Sequence, residues 1–294
     1  MKTFNAMSRA VRFGSMMMIA GLGVAGVAQA QQEGKGTVTL AYVEWSSEVA
    51  STNVVRAVLE DMGYDVEMSS LSAAAMWQAV AYGDADGMVA AWLPTTHENY
   101  FEQTKDKVVD LGTNLDGTKL GLAVPAYTDI DSIAELGEKA DLVDGEIIGI
   151  DPGAGLMGLT EDVIDEYGLQ GDIKLRSGSG ATMTAALQSA IQNKEDIVVT
   201  AWTPHWMFSR WDLKYLDDPK NVYGDTEQIR TIVRQGLEKD MPEVYEVLDN
   251  FEWTPEQMGE VMLMNQEEGS DPYANAQKWV DENPEIVNEW KGES

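Results

Sequence analysis

Nine tryptophans, two histidines and no cysteine set the chemistry open to this chain of 294 residues. Two of the tryptophans stand in near-copies of one motif, Ala91-Trp92-Leu93-Pro94-Thr95-Thr96-His97 and Ala201-Trp202-Thr203-Pro204-His205-Trp206. A third, Trp45, stands in the loop-like stretch Val43-Glu44-Trp45-Ser46-Ser47-Glu48. Indole faces attract cations through the ring quadrupole, and they suit quaternary ammonium groups, which cannot hydrogen-bond. Each desolvated face contributes on the order of 2 kcal/mol. Three of them supply much of the roughly 8 kcal/mol of a micromolar complex. The glycine-rich Ile150-Asp151-Pro152-Gly153-Ala154-Gly155-Leu156-Met157 adds backbone N–H groups suited to an anion, and an imidazole would add another donor. One site with both features suits a small zwitterion.

Catalytic arrangements are harder to assemble. Only His97 and His205 are available as imidazoles, and no Gly-x-Ser-x-Gly elbow is present. Ser177-Gly178-Ser179-Gly180 resembles one superficially but lacks the strand and helix in the required order. The two histidines have no metal-ligand spacing, and the glycine-rich turn has no lysine after it to complete a phosphate loop. Catalytic residues, metal ligands and cofactors are therefore not expected.

The elements that must position these residues repeat. Each Ala-Trp-x-Pro closes a short apolar run, which reads as a buried strand with its indole near the carboxyl end. In open α/β sheets ligands bind at that end. Upstream of Trp92 lie Val38 to Tyr42 as a strand, a helix ending at Gly63, the strand Val66-Glu67-Met68, and a helix through Met76 ending near Gly83. Upstream of Trp202 the same order runs from Ile147-Ile148-Gly149-Ile150 through Gly168-Leu169 to a helix with Met183. This is an internal repeat of roughly 110 residues, far longer than solenoid periods. It predicts two similar lobes whose tryptophans face one cleft, bordered by the Trp45 loop and the glycine loop.

Other elements follow the same logic. Ser46 or Ser47 caps the first helix, a short helix follows His97, and Val108 to Leu111 forms a short strand. Lys119 to Pro125 reads as the crossover between lobes, followed by a helix around Ile133 to Leu136. Gln228 to Val233 returns as a strand to the first lobe, and the remainder is mostly helical, with Thr254 capping one helix. Trp77, Trp211, Trp253, Trp279 and Trp290 are assigned to packing.

Residues 1–30 read as a secretory signal peptide: Lys2, Arg9 and Arg12, an apolar run from Phe13 to Val27, and the cleavage site Ala28-Gln29-Ala30. The protein is then expected in the periplasm, cleaved near Ala30. The net charge of −30 becomes more negative by three once the leader's basic residues are removed. Nucleic acid and anionic lipid are excluded as partners, because either demands a basic patch. The acidity reads as a solvated surface or as adaptation to external salt.

The runs Ala41-Tyr42-Val43-Glu44-Trp45, Ala91 to His97, Gly149-Ile150-Asp151-Pro152-Gly153-Ala154-Gly155 and Trp202-Thr203-Pro204-His205-Trp206-Met207-Phe208 resemble the substrate-binding proteins of glycine betaine ABC importers. The resemblance covers nearly the whole chain after the leader. It implies an aromatic prism around a trimethylammonium group at Trp45, Trp92 and Trp202. It further implies carboxylate contacts at the backbone N–H groups of Gly155 and Leu156 and at the side chain of His97. Ser46 departs from those relatives that carry aspartate there.

The expected fold is α/β, a two-lobed periplasmic binding protein (type II-like), with each lobe a sheet flanked by helices and the ligand cleft between them. Residues 31–124 form lobe 1, 125–225 lobe 2, and 226–294 a return strand and C-terminal helices mostly on lobe 1. The expected function is capture of glycine betaine, or a close onium-carboxylate zwitterion, by a monomer that delivers it to a membrane permease for osmoprotectant uptake. Dimethylsulfoniopropionate, proline betaine and carnitine present the same two groups. A cleft enzyme acting on methylated amines and a sensor module are the alternatives.

Overall fold

The structure, a computed structural model, describes residues 34–293. The expected signal peptide lies outside the described residues. Nine strands form a continuous sheet whose two halves repeat one connectivity. In the first half, β1 (Thr37–Tyr42) lies between β2 (Asp65–Ser70) and β3 (Gly87–Leu93), all parallel. Helices α1 (Ser46–Asp61) and α2 (Ala73–Tyr82) make the crossovers, and α3 (Glu98–Thr104) follows β3.

The next strand, β4 (Val108–Pro125), joins the halves. Two 3-10 turns, Ile133–Glu135 and Ala140–Val143, lead to the second half. There β5 (Glu146–Ile148) lies between β6 (Lys174–Arg176) and β7 (Val198–Thr203), again parallel, with α4 (Gly155–Glu166) and α5 (Gly180–Asn193) as crossovers. The repeat read from sequence is thus a repeated strand order. Both Leu93–Pro94 and Thr203–Pro204, which end the central motifs, are cis.

Single-turn α6 (Met207–Arg210) and strand β8 (Leu213–Tyr215) precede β9 (Glu227–Arg234). β9 runs antiparallel between β3 and β4, as expected for a returning strand. The sequence suggested two short strands where β4 is one of 18 residues. Its first part pairs with β9, and Lys119 to Pro125 pair with β7 and β8. Bulges between Asp110 and Gly112, Thr113 and Leu115, and Asp116 and Thr118 break up the pairing with β9. A bulge bends and twists its strand, so one β4 serves both halves. Gly112 and Gly117 have positive φ of 111° and 81°, which glycine adopts without steric penalty.

The chain ends in α7 (Leu237–Asp240), α8 (Pro242–Asn250), α9 (Pro255–Met264), α10 (Pro272–Glu282) and α11 (Pro284–Trp290). Thr254 caps α9 as expected, in a reciprocal capping box with Gln257. α1 packs on the sheet and beneath α9 and α10, with Val54, Val55, Val58 and Leu59 buried at helical spacing. Trp253, Trp279 and Trp290 form one aromatic cluster with Phe251, as assigned, and Trp77 is buried. Trp211 is only half-buried, against Trp206.

Three local expectations are corrected. Ser46 and Ser47 do not cap α1, because the helix begins at Ser46, Trp45 holds the cap position, and no side chain bonds the first turn. The segment at Ile133 is a 3-10 turn, capped by Ser132, since its apolar run is too short to continue as an α-helix. Ser177-Gly178-Ser179-Gly180, expected to lack a strand and helix in order, does lie between β6 and α5, where Ser179 forms the capping box of α5 with Thr182.

Candidate functional site

All six residues singled out by the resemblance line one small cavity of about 20 Å³ at the carboxyl ends of β1, β3, β5 and β7. Its lining includes Trp45, Trp92, Trp202, His97, Gly155 and Leu156, with Leu120 and Ile150 among the remaining walls. Trp92 and Trp202 occupy matching penultimate positions of β3 and β7. Trp45 comes from the loop between β1 and α1. The three indoles are 7%, 4% and 4% exposed, so each ring is almost wholly desolvated.

The loop before α1 is pinned by Glu48, whose carboxylate accepts the Val43 N–H at 2.7 Å. That carboxyl is fully buried, and burial pushes its pKa well above the ordinary value. That shift toward the neutral form limits the charge Glu48 brings to the cavity.

The start of α4 forms another part of the lining. Gly155 and Leu156 are its first residues, and the cap position, Ala154, supplies no side-chain acceptor. N–H groups in a first helical turn have no partner within the helix and face along its dipole, so they are suited to a carboxylate. Glycine is required at 155. A β-carbon there would run into the backbone carbonyl of Thr96, on the facing loop.

His97 closes that facing loop. Its N–H donates to the Trp92 carbonyl at 2.9 Å, and its Nδ1 accepts the Trp92 N–H at 3.2 Å. Nδ1 is therefore the acceptor and Nε2 carries the proton. The ring is fully buried, edge-on to Trp77 with centroids 6.0 Å apart, and Nε2 has no hydrogen-bond partner among the described residues. Burial pushes its pKa down to about 3, so His97 is a neutral donor aimed by its own backbone contact.

The sequence reading left the imidazole open before the resemblance was drawn. His205 lines a larger, open depression of about 480 Å³ beside the cavity, with Glu44, Arg210 and Trp202. It is likewise neutral, with Nδ1 accepting the Met207 N–H at 3.1 Å.

Several positioning residues escaped the sequence reading. Glu227, buried on β9, accepts the N–H groups of Thr95 and Thr96 at 3.1 and 3.0 Å and the Thr96 hydroxyl at 2.5 Å. It thereby holds the loop that faces Gly155. Nothing in the sequence distinguishes it among 50 acidic residues. Asp151 accepts the Trp45 indole N–H at 2.9 Å, and the Tyr100 hydroxyl donates to the Gly153 carbonyl at 2.6 Å. Both partners lie in the glycine-rich motif, which was the available signal.

Among the described residues no group of three or more acidic, histidine or cysteine side chains could hold a metal ion. Nor is any helix there long and apolar enough to cross a membrane.

Comparison with known proteins adds to this geometry. The family described as the substrate-binding domain of the ABC-type glycine betaine transport system matches residues 36–282. Lactococcal OpuAC, solved in its closed-liganded conformation complexed with glycine betaine, superposes with a TM-score of 0.83 and 45% identity, covering 87% of this chain and 99% of that one. The glycine/betaine/L-proline-binding protein ProX of Borrelia burgdorferi superposes with a TM-score of 0.84 and 43% identity, covering 86% and 96%. The glycine betaine/carnitine transport binding protein GbuC of Listeria monocytogenes is 52% identical over 161 residues, 54% of this chain. That match spans about half of the relative's length, 52%.

Proposed function

We propose that this chain, which belongs to the family of substrate-binding domains of ABC-type glycine betaine transport systems, captures glycine betaine or a close onium-carboxylate zwitterion and hands it to a membrane permease. The observation that carries the reading is the pairing of two chemistries in one cavity. Three indoles share the lining with the unpartnered His97 Nε2 and with the first-turn residues Gly155 and Leu156 of α4. The trimethylammonium group would sit among Trp45, Trp92 and Trp202, where a desolvated cation gains from each ring face. The carboxylate would accept from the Gly155 and Leu156 N–H groups and from His97 Nε2–H. Hydrogen bonds to a charged group contribute roughly 1.5–3 kcal/mol each.

The relatives support this ligand class, since OpuAC was solved with glycine betaine and GbuC is named for betaine and carnitine. Carnitine, proline betaine and dimethylsulfoniopropionate carry the same two groups and belong to the same reading. The protein acts as a periplasmic monomer after loss of a leader cleaved near Ala30, with no cofactor and no turnover. Residues 31–124 with 226–294 form one lobe and 125–225 the other. Hinge closure of the two around the ligand is the signal to the permease.

The test is calorimetry on the chain freed of retained ligand by unfolding and refolding, followed by analysis of the ligand after prolonged incubation. One betaine bound per chain and recovered unchanged is expected. Absence of binding, or conversion of the ligand, would defeat the proposal.

A further inference from the structure

The Trp45 indole has one polar contact, and it reaches across the cavity to the loop between β5 and α4. Its Nε1–H donates to Asp151 Oδ2 at 2.9 Å. We propose that Asp151 is a positioning residue of the cage, whose carboxylate fixes the Trp45 indole and latches the 151–155 loop to the start of α1 when the cavity is closed. The inference rests on the reading of the cavity as a betaine site and extends it to a residue that touches no ligand.

Three observations support it. A buried indole N–H needs a partner, and Trp45 is 7% exposed with Asp151 as its side-chain partner. That bond is charge-assisted, hence stronger than a neutral one. It also places negative charge at the ring's N–H edge, which deepens the negative potential over the face that a cation would meet.

Second, Asp151 makes no salt bridge among the described residues, so its charge is not committed elsewhere. Third, the same five-residue loop makes two further close contacts beside the cavity. Gly153 accepts the Tyr100 hydroxyl, and Gly155 lies against the Thr96 carbonyl. The loop that offers amides to the carboxylate thus also holds one wall of the cation cage. Occupation of one end then orders the other, which is coupling through a shared element.

The consequence is kinetic. A contact formed only on closure slows escape without speeding encounter, so its loss should raise the dissociation rate. Betaine association and dissociation would be followed by stopped-flow fluorescence for wild type, Asp151→Ala, Asp151→Asn, Trp45→Phe and Trp45→Phe/Asp151→Ala. Asp151→Ala should weaken binding about 10- to 100-fold, the range expected for one hydrogen bond to a charged group. That loss should lie almost wholly in dissociation. Asp151→Asn keeps an acceptor oxygen and should lose less.

Phenylalanine at 45 keeps a ring face but has no N–H, so the Asp151→Ala effect should nearly vanish in that background. A merely structural role for Asp151 would leave the effect undiminished. In the same samples the Trp45 indole N–H resonance, assigned by its loss in Trp45→Phe, should shift upfield in Asp151→Ala. An undiminished effect in the Trp45→Phe background, a loss confined to association, or an unmoved indole resonance would overturn the proposal. Wild type that binds no betaine would defeat the proposed function instead. The indole resonance would still decide the latch, because it reads the hydrogen bond directly.

Discussion

Trp92, Trp202 and Trp45 are as buried as core residues, yet each presents a face to the cavity, so ligand affinity and stability separate by residue. Alanine at any of the three should weaken betaine binding by about 1–2 kcal/mol or more. Thermal stability without ligand should stay near that of wild type. Trp77→Ala should do the opposite: Trp77 packs against His97 and Phe101 in the interior, and truncating such a ring costs about 3–5 kcal/mol of stability. Melting curves with and without betaine separate the two groups. Early unfolding of all three cage variants would make them core residues.

His97 makes a pH prediction with a definite sign. Its pKa is pushed by burial from the ordinary 6.5 to about 3, so the neutral Nε2–H donor persists through the range between them. Betaine affinity should therefore be flat from about pH 8 to about pH 4.5, where an ordinary histidine would have charged. Affinity rising as pH falls through 6.5 would mean an imidazolium at the site. Stability behaves differently. A depressed folded pKa contributes stability that is present above 6.5 and is lost as pH falls toward 3. His205 should contribute in the same direction, because it too is lowered by burial to about 3.

The elements matter because the loops that form the site are held by strands far away in sequence. Gly155 meets Thr96, and Thr96 is held by Glu227 on β9. Gly155→Ala should therefore block closure rather than folding: betaine affinity should fall at least about 100-fold, equivalent to about 2.7 kcal/mol, with melting of the ligand-free protein nearly unchanged. Calorimetry beside calorimetric melting checks this, and full affinity in the variant would show that the two loops need not touch. The repeated strand order and the tryptophans were legible because both halves repeat the Ala-Trp-x-Pro ending of an apolar run. β4 was not, since Gly112 and Gly117 separate its two apolar runs in sequence but lie at bulges within one strand. Glu227 was hidden for a different reason. Its partners are Thr95 and Thr96, and no local pattern announces a contact across 131 or 132 residues.

Across the whole molecule, a chain with net charge −30 would hold its proposed cation among three indoles, with Asp151 behind the Trp45 N–H edge and Glu48 pushed toward the neutral form. The central claim is that the cavity reads both ends of one small zwitterion. Choline tests it most directly, since it keeps the trimethylammonium group and replaces the carboxylate with a hydroxyl. It should fit among Trp45, Trp92 and Trp202 but leave Gly155, Leu156 and His97 without a charged acceptor. At roughly 1.5–3 kcal/mol for each lost bond, choline should bind several powers of ten more weakly than betaine. His97→Ala should narrow that gap by weakening betaine alone. The measurement is calorimetry of betaine and choline on wild type and His97→Ala. A large gap that shrinks in the variant is the predicted result, and equal affinities in wild type, or a gap that the mutation leaves unchanged, would contradict it.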